Sequence, residues 1–397
     1  MRGLLADTTP LRNRDYRRLW LAGVVTVIGG QLAIVAVPQQ IYEITRSSAY
    51  VGLTGVFALV PLIVTTSGLG ITAVLFWVQA ALELNNVWVV LVLLAVQQAC
   101  FAVNQPTRAA IIPRLLPGEQ LPAANSLNMT VMQFGAIAGP LLAGVMIPII
   151  GLSMLYLLDA VALLATLWAA VKLPSIPPTG QARRAGLRQV WEGFGYLATQ
   201  RILLASFVVD IIAMVFGMPR VLFPQIAHES FGDPVTGGFA LGLLFAAMSA
   251  GAVLGGVFSG WLPRIRRQGL AVIVCVVLWG LAMLGFGVTV HFAAPGSSAA
   301  ILWIAVAFLA FGGAADMVSS AFRATMLQQV ATDDMRGRLQ GVFTVVVAGG
   351  PRIGDVAHGA AAASVGTAVA TAGGGGLVVV GVVIAAFAFP MFVRYRV

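Results

Sequence analysis

The sequence predicts an all-α polytopic membrane protein of two related six-helix halves, about twelve spans in all. Three observations carry that prediction. Of 397 residues, 59% are hydrophobic and only 9% charged, too little polar surface to clothe a soluble globule, so the solvent is lipid. Apolar runs of about 20 residues, enough to cross roughly 30 Å of hydrocarbon, recur along the chain. Third, Arg323–Gln340 (RATMLQQVATDDMRGRLQ) aligns without gaps on Arg108–Asn125 (RAAIIPRLLPGEQLPAAN), and after a short slip Gly350-Pro351 falls on Gly139-Pro140. The chain reads as a duplication, with an amino-terminal half 1–172, a linker 173–201 and a carboxy-terminal half 202–397.

Leu19–Tyr42 is the first span; it is longer than a signal-peptide core and lacks a small-residue cleavage site, so it is expected to stay as an anchor. Ala49–Leu82 is one apolar run, about 51 Å if it were a single helix, too long for one crossing and too short for two comfortable ones. A hairpin of two shortened arms turning at Thr65–Gly68 is expected. Spans follow at Trp88–Ala110, Ala124–Ile149 and Leu152–Val171. The linker contains prolines and arginines and suits a short surface helix. Beyond it lie spans at Ile202–Phe223, Phe239–Leu262, Leu270–Phe292, Ala300–Phe322, Leu339–Val365 and Val369–Val393.

The net charge of +9 sits as arginines in alternate loops, from Arg12–Arg18 to Arg394 and Arg396, which explains it as topology and removes the case for nucleic acid. Both termini are expected on the cytoplasmic side. Matching Val51–Val64 to Leu241–Leu254, and Trp77 to Trp279, leaves Gly255–Arg266 without a partner in the first half; a basic loop is missing from the Ala49–Leu82 region.

Ionisable groups inside spans are costly unless paired or wetted, so Asp159, Asp210, Asp316 and Asp355 are candidates for proton coupling. Arg352, Asp355 and His358 recur every three residues on one helix, so the first two can pair and His358 lies within reach; a proton-linked switch and a structural ion pair both fit. Asp316 is two turns from Arg323, beyond direct contact without a bend or water, and Arg323 has loop partners as a rival. Polar uncharged residues Gln31, Gln39, Gln97, Asn104, Asn128 and Gln133 suit a wet substrate cavity, or hydrogen bonds between helices. Arg108, Arg323, Asp333, Asp334, Arg336 and Arg338 suit a charge latch in the repeated basic loops. Gly135, Gly139 and Gly144 strip one flank of a helix and Pro140 bends it, which lets a neighbour approach closely. No catalytic set, metal-ligand spacing or phosphate loop is present in the sequence, so neither an enzyme nor a cofactor is expected; Gly373–Gly376 is followed by no Lys-Ser/Thr. Cys100 and Cys275 are assigned no role.

From LRNRDYRRLW at Leu11 to Arg396, and most closely in Asn104–Pro117, GAIAGPLLAG (Gly135–Gly144) and Thr325–Val342, the chain resembles the major facilitator superfamily, in the branch of enterobactin-exporter-like and drug-efflux proteins. The resemblance implies the MFS fold in a bacterial inner membrane. It also implies a monomeric secondary transporter whose partners are protons, the lipid bilayer and a small amphipathic substrate, a siderophore or drug-like compound. Gly135, Gly139, Pro140 and Gly144 match the family's antiporter motif, with Ala143 where glycine is usual, which implies export against protons. Two departures stand out: the gating loop between helices two and three is absent, and Ala95 occupies the position of the family's fourth-helix arginine. Import by the same fold, or a transport-impaired remnant, are the alternatives, and weak transport is the expectation.

Overall fold

Lipid offers the main chain no hydrogen-bond partner, so a segment that crosses it as a helix satisfies its own peptide groups. The computed structural model describes residues 39–47, 68–84, 86–100, 121–171, 195–294, 299–330 and 333–396, with Arg17, Leu21 and Tyr50 besides. Among these the regular structure is helical throughout, without a strand. Short helical segments occupy 39–45 and 195–199; the longer elements are α1 (Gly68–Ala81), α2 (Val87–Cys100), α3 (Leu121–Val171) and α4 (Arg201–Phe216). Then come α5 (Phe223–Glu229), α6 (Phe239–Val257), α7 (Gln268–Phe292), α8 (Ala299–Val330), α9 (Asp333–Val365), α10 (Thr367–Ala388) and α11 (Pro390–Val393). Six helical stretches among the described residues are long and apolar enough to span a bilayer.

The chain divides into two compact units, one of Met1–Arg46, Phe57–Gly180 and Asp233–Ala246, the other of Ser47–Val56, Gln181–Gly232 and Ala247–Val397. In the first, α1 packs on α3, and Leu69, Ala73, Cys100, Ala160 and Leu163 form an apolar cluster. α1 is described from Gly68 to Ala81. The expected turn at Thr65–Gly68, with most of the first arm of the hairpin, lies outside the described residues except for Gly68. α3 contains the two spans expected at Ala124–Ile149 and Leu152–Val171, separated at Gly151, whose φ of 78° is the left-handed conformation that glycine adopts without strain.

In the second unit the span expected at Ile202–Phe223 is interrupted. α4 stops at Phe216, a 3₁₀ turn covers Pro219–Leu222 and α5 follows, because Pro219 has no amide hydrogen to continue the α-helical ladder. Gly217 fills the break and receives the Trp279 indole against its α-carbon. Two other helices run further than expected: α8 continues past Phe322 to Val330, and α9 starts at Asp333 rather than Leu339. Their extended ends are held by Leu197, Leu203, Phe207, Leu327, Leu339, Val342 and Val346. The basic stretch Gly255–Arg266 ends α6 and forms a 3₁₀ turn over Ser259–Arg264.

α7 is the central packing partner of this unit, flanked by α8 and α10. The glycine run of α10 makes the second contact possible. A Cβ on Gly375 would stand 2.6 Å from the Gly280 carbonyl oxygen, whereas one on Gly376 would meet nothing within 4 Å. Gly375→Val is therefore expected to destabilise the protein by about 1–3 kcal/mol through overpacking, and Gly376→Val to change little. Thermal unfolding of the two variants in the same detergent checks the difference.

Candidate functional site

Two ion-pair clusters, each around a buried carboxylate, lie in the carboxy-terminal unit. The first is organised by Arg220, which the α4 break and 3₁₀ turn present to α9. Its Nε donates to Asp355 Oδ1 at 3.2 Å and its Nη2 to Oδ2 at 3.1 Å, the two-pronged geometry in which a guanidinium best matches a carboxylate. Arg352, one turn before Asp355 on α9, adds a longer contact of 3.7 Å. The Asp355 side chain is 3% exposed, so this carboxylate takes both its cations from protein rather than water. The Arg352–Asp355 pairing expected from spacing is present, but Arg220 is the stronger partner. It lies 135 positions away, and only the unforeseen interruption of its helix brings it to α9.

His358 does not turn toward the carboxylate. Its Nδ1 is 3.0 Å from the carbonyl oxygen of Gly354, four residues back. A Cβ on Gly374 would sit 2.8 Å from the His358 Nε2, so glycine there makes room for the ring.

The second cluster joins Arg323 of α8 to Asp210 of α4, with Asp316 of α8 at 3.6 Å. Arg323 and Asp210 are buried, at 4% and 3% side-chain exposure, and Asp316 is 40% exposed. Arg323 is thus a helical, buried residue and not part of a loop latch. The long guanidinium side chain spans the two turns to Asp316 that helix spacing alone leaves open. Leu203, Ser206, Phe207 and Leu327 line a crevice beside the Asp210–Arg323 pair.

The two clusters differ in charge count. Arg220 and Arg352 around Asp355 leave a net positive charge, and Arg323 between Asp210 and Asp316 leaves a net negative charge when both carboxylates are ionised. A single proton cancels the second excess and would double the first. In a medium where uncompensated charge is expensive, the two clusters therefore differ in what a bound proton would do to them.

The amino-terminal unit holds a polar network of its own. Tyr156 donates from its hydroxyl to Gln40 Oε1 at 2.8 Å, and Gln40 and Gln79 exchange amide hydrogen bonds at 3.2 and 3.1 Å. Phe76 stacks on the Tyr156 ring. Asp159, one turn beyond Tyr156, is buried with Oδ1 unpartnered. Just past the first span, burial pushes the Glu43 carboxyl above the usual glutamate range while the neighbouring Arg46 acts against that rise. Gln39 is buried, and its amide donates to the Val235 carbonyl. Gln97 is buried on α2. Gln40, Gln79 and Tyr156 are not evident as a set in the sequence because no single helix carries them, and only packing brings them together.

The glycine-flanked helix behaves as its composition requires. Gly135, Gly139 and Pro140 are buried on α3. A Cβ on Gly144 would lie 2.7 Å from both the Gly238 carbonyl oxygen and the Gly242 α-carbon, so two backbones touch there. Asp233 secures the start of α6 by accepting from the amides of Ala240 and Leu241 at 3.3 and 2.8 Å. Of the remaining expected site residues, Gln31, Asn104 and Arg108 lie outside the described residues. Asn128 and Gln133 lie on α3, and Asp333, Asp334, Arg336 and Arg338 on the first two turns of α9.

Buried carboxylates tied to arginines within a bundle of long apolar helices belong to an integral membrane protein. Residues 59–355 match the Major Facilitator Superfamily, and the chain belongs to that family. It is 29% identical to the enterobactin exporter EntS of Shigella dysenteriae serotype 1 over 93% of this chain and 90% of that one. The EntS of Citrobacter koseri is equally similar, with the same coverage. Among solved structures, the nucleoside transporter NupG superposes with a TM-score of 0.66 at 12% identity, covering 96% of this chain and 100% of that one. A bacterial homologue of the human lysosomal transporter Spinster gives 0.63 at 16% identity over 98% of this chain and 97% of that one.

Removing Arg323 leaves Asp210 buried without its cation. Arg323→Gln is expected to cost about 3–5 kcal/mol, with much of it recovered in the double variant Asp210→Asn/Arg323→Gln. Equilibrium unfolding of the single and double variants in detergent checks the coupling.

Proposed function

We propose that this transporter exports a small amphipathic molecule, a siderophore or drug-like compound, across a bacterial inner membrane in exchange for protons. The observation that carries the reading is the Asp210–Arg323–Asp316 cluster, whose excess negative charge one proton cancels, in a chain similar to enterobactin exporters. The antiporter-type helix Gly135–Gly144 supports the same direction of transport.

The proton enters at Asp316, the most exposed member, which faces Arg323 and Asp210. With Asp316 ionised, Arg323 divides its attraction between two carboxylates. Once Asp316 is neutral, Arg323 is committed to Asp210, and α8 is tied more firmly to α4. Proton occupancy thereby changes the relative free energy of two arrangements of these helices, the differential interaction that a coupled transporter requires. Asp355, held between Arg220 and Arg352, ties α9 to the turn after α4. Asp159 and the Gln40–Gln79–Tyr156 network supply polar contacts in the amino-terminal half, and Gln31, Gln39, Gln97, Asn104, Asn128 and Gln133 remain the candidates for contact with substrate. The protein works as a monomer of two halves, with both termini cytoplasmic.

A second reading, transport weakened by the missing loop, draws on the sequence of the Ala49–Leu82 region, which has no counterpart of the basic stretch Gly255–Arg266.

Efflux of a panel of siderophores and lipophilic drugs from cells, with and without a proton uncoupler, tests the proposal. Uncoupler-sensitive export of at least one compound is expected. Asp316→Asn is expected to abolish the pH dependence of export while the protein remains folded, and Asp355→Asn to reduce export by roughly tenfold or more, with a loss of thermal stability. Accumulation of substrate inside cells would overturn the direction. Wild-type pH dependence in Asp316→Asn would overturn the proton site, and no export by a well-inserted protein would favour the weakened reading.

A further inference from the structure

The exposed arginines at one end of the carboxy-terminal unit are more than a topology signal. Arg264, Arg266 and Arg267 lead into α7, and Arg394 and Arg396 follow α11; all five are exposed. They are distant in sequence, but α7 and α11 pack together. Gly269 receives the Phe392 carbonyl against its α-carbon, and a Cβ there would be 3.4 Å from the Tyr395 Cβ. The tail is fixed in place by the Tyr395 amide, which donates to the Phe392 carbonyl at 3.0 Å, and by the Tyr395 hydroxyl, which reaches Gln329 at 3.4 Å. Among the described residues no ion pair includes any of the five arginines. The result is a basic patch on a fixed backbone, without a counter-charge among the described residues.

The apolar surface beside the patch specifies the partner. Arg267, Leu270, Val274 and Leu281 recur at helical spacing along α7, and the three apolar members are 36%, 48% and 46% exposed. In the other segment Phe387 and Met391, 83% and 59% exposed, precede Arg394. Each cation group therefore heads an outward apolar stripe, the order of charge and hydrocarbon found in a phospholipid. A soluble phosphate would use the cations and leave the stripes unexplained.

We propose that Arg264, Arg266 and Arg267 with Arg394 and Arg396 form a binding site for the headgroup of an anionic phospholipid whose acyl chains lie along the surface of α7 and along the end of α10 with α11. The site joins the start of α7 to the chain's carboxy-terminal tail. Topology by the positive-inside rule depends on the number of basic residues in a loop; it does not require two separate groups to meet on one packed surface.

Native mass spectrometry of the detergent-purified full chain tests this with phosphatidylglycerol and phosphatidylcholine as probes. Selective retention of phosphatidylglycerol is expected, falling with added salt. With about fivefold in affinity expected for each arginine near a charged lipid, Arg266→Gln/Arg267→Gln/Arg394→Gln/Arg396→Gln should weaken retention at least tenfold. The corresponding quadruple lysine variant should keep most of it, which separates loss of charge from loss of fold. Equal retention of the two lipids by the wild-type protein, or unchanged phosphatidylglycerol retention in the folded glutamine variant, would overturn the proposal. Displacement of the lipid by millimolar inorganic phosphate would overturn it in favour of a free-anion site.

Discussion

A carboxylate inside an apolar bundle has to find its cation within the protein, and the carboxy-terminal unit is arranged around that requirement. Asp355 takes Arg220 from the turn after α4, and Asp210 takes Arg323 from α8. Each pair joins two helices that the hydrophobic effect, absent between lipid-facing surfaces, would not bring together. Such ties are directional where apolar packing is not, and they fix which faces meet. Because replacing both partners is tolerated better than removing one, each pair acts as a constraint on geometry more than as a reserve of stability.

The glycines solve the complementary problem of approach. Where Gly144 meets Gly238 and Gly242, and Gly280 meets Gly375, no side chain intervenes and dispersion acts between main chains at the shortest range. Pro140, buried beside Gly139, belongs to the same device: its carbonyl oxygen would be 2.8 Å from a Cβ on Gly242. Sites with arginines and sites with bare backbone thus divide the work, one selecting partners and the other allowing contact.

Most of the described helices are legible in the sequence because hydropathy and arginine placement are local properties. The separation of the two spans in α3 is legible for the same reason, and Gly151 marks it. Charge clusters are only half legible. Spacing identifies Arg352 and Asp355 because they share a helix, but Arg220 reads as an ordinary part of a continuous span, and although Pro219 marks the break, the partner that Arg220 meets on α9 lies 135 positions away. Arg323 reads as a loop residue since apolar character ends at Phe322; α8 continues because Leu327 is buried among Leu203, Phe207 and Leu339. Which groups these arginines meet is decided by tertiary contacts, and no window of sequence contains those.

The interruption after α4 has one further consequence. A 3₁₀ turn of four residues has fewer and poorer main-chain hydrogen bonds than the helices on either side, so the amides around Arg220 open to solvent isotope more readily than those of α4 or α7. The arginine that holds α9 is thereby mounted on the least protected backbone of its unit's central helices, a place where the chain yields first without the loss of a whole helix.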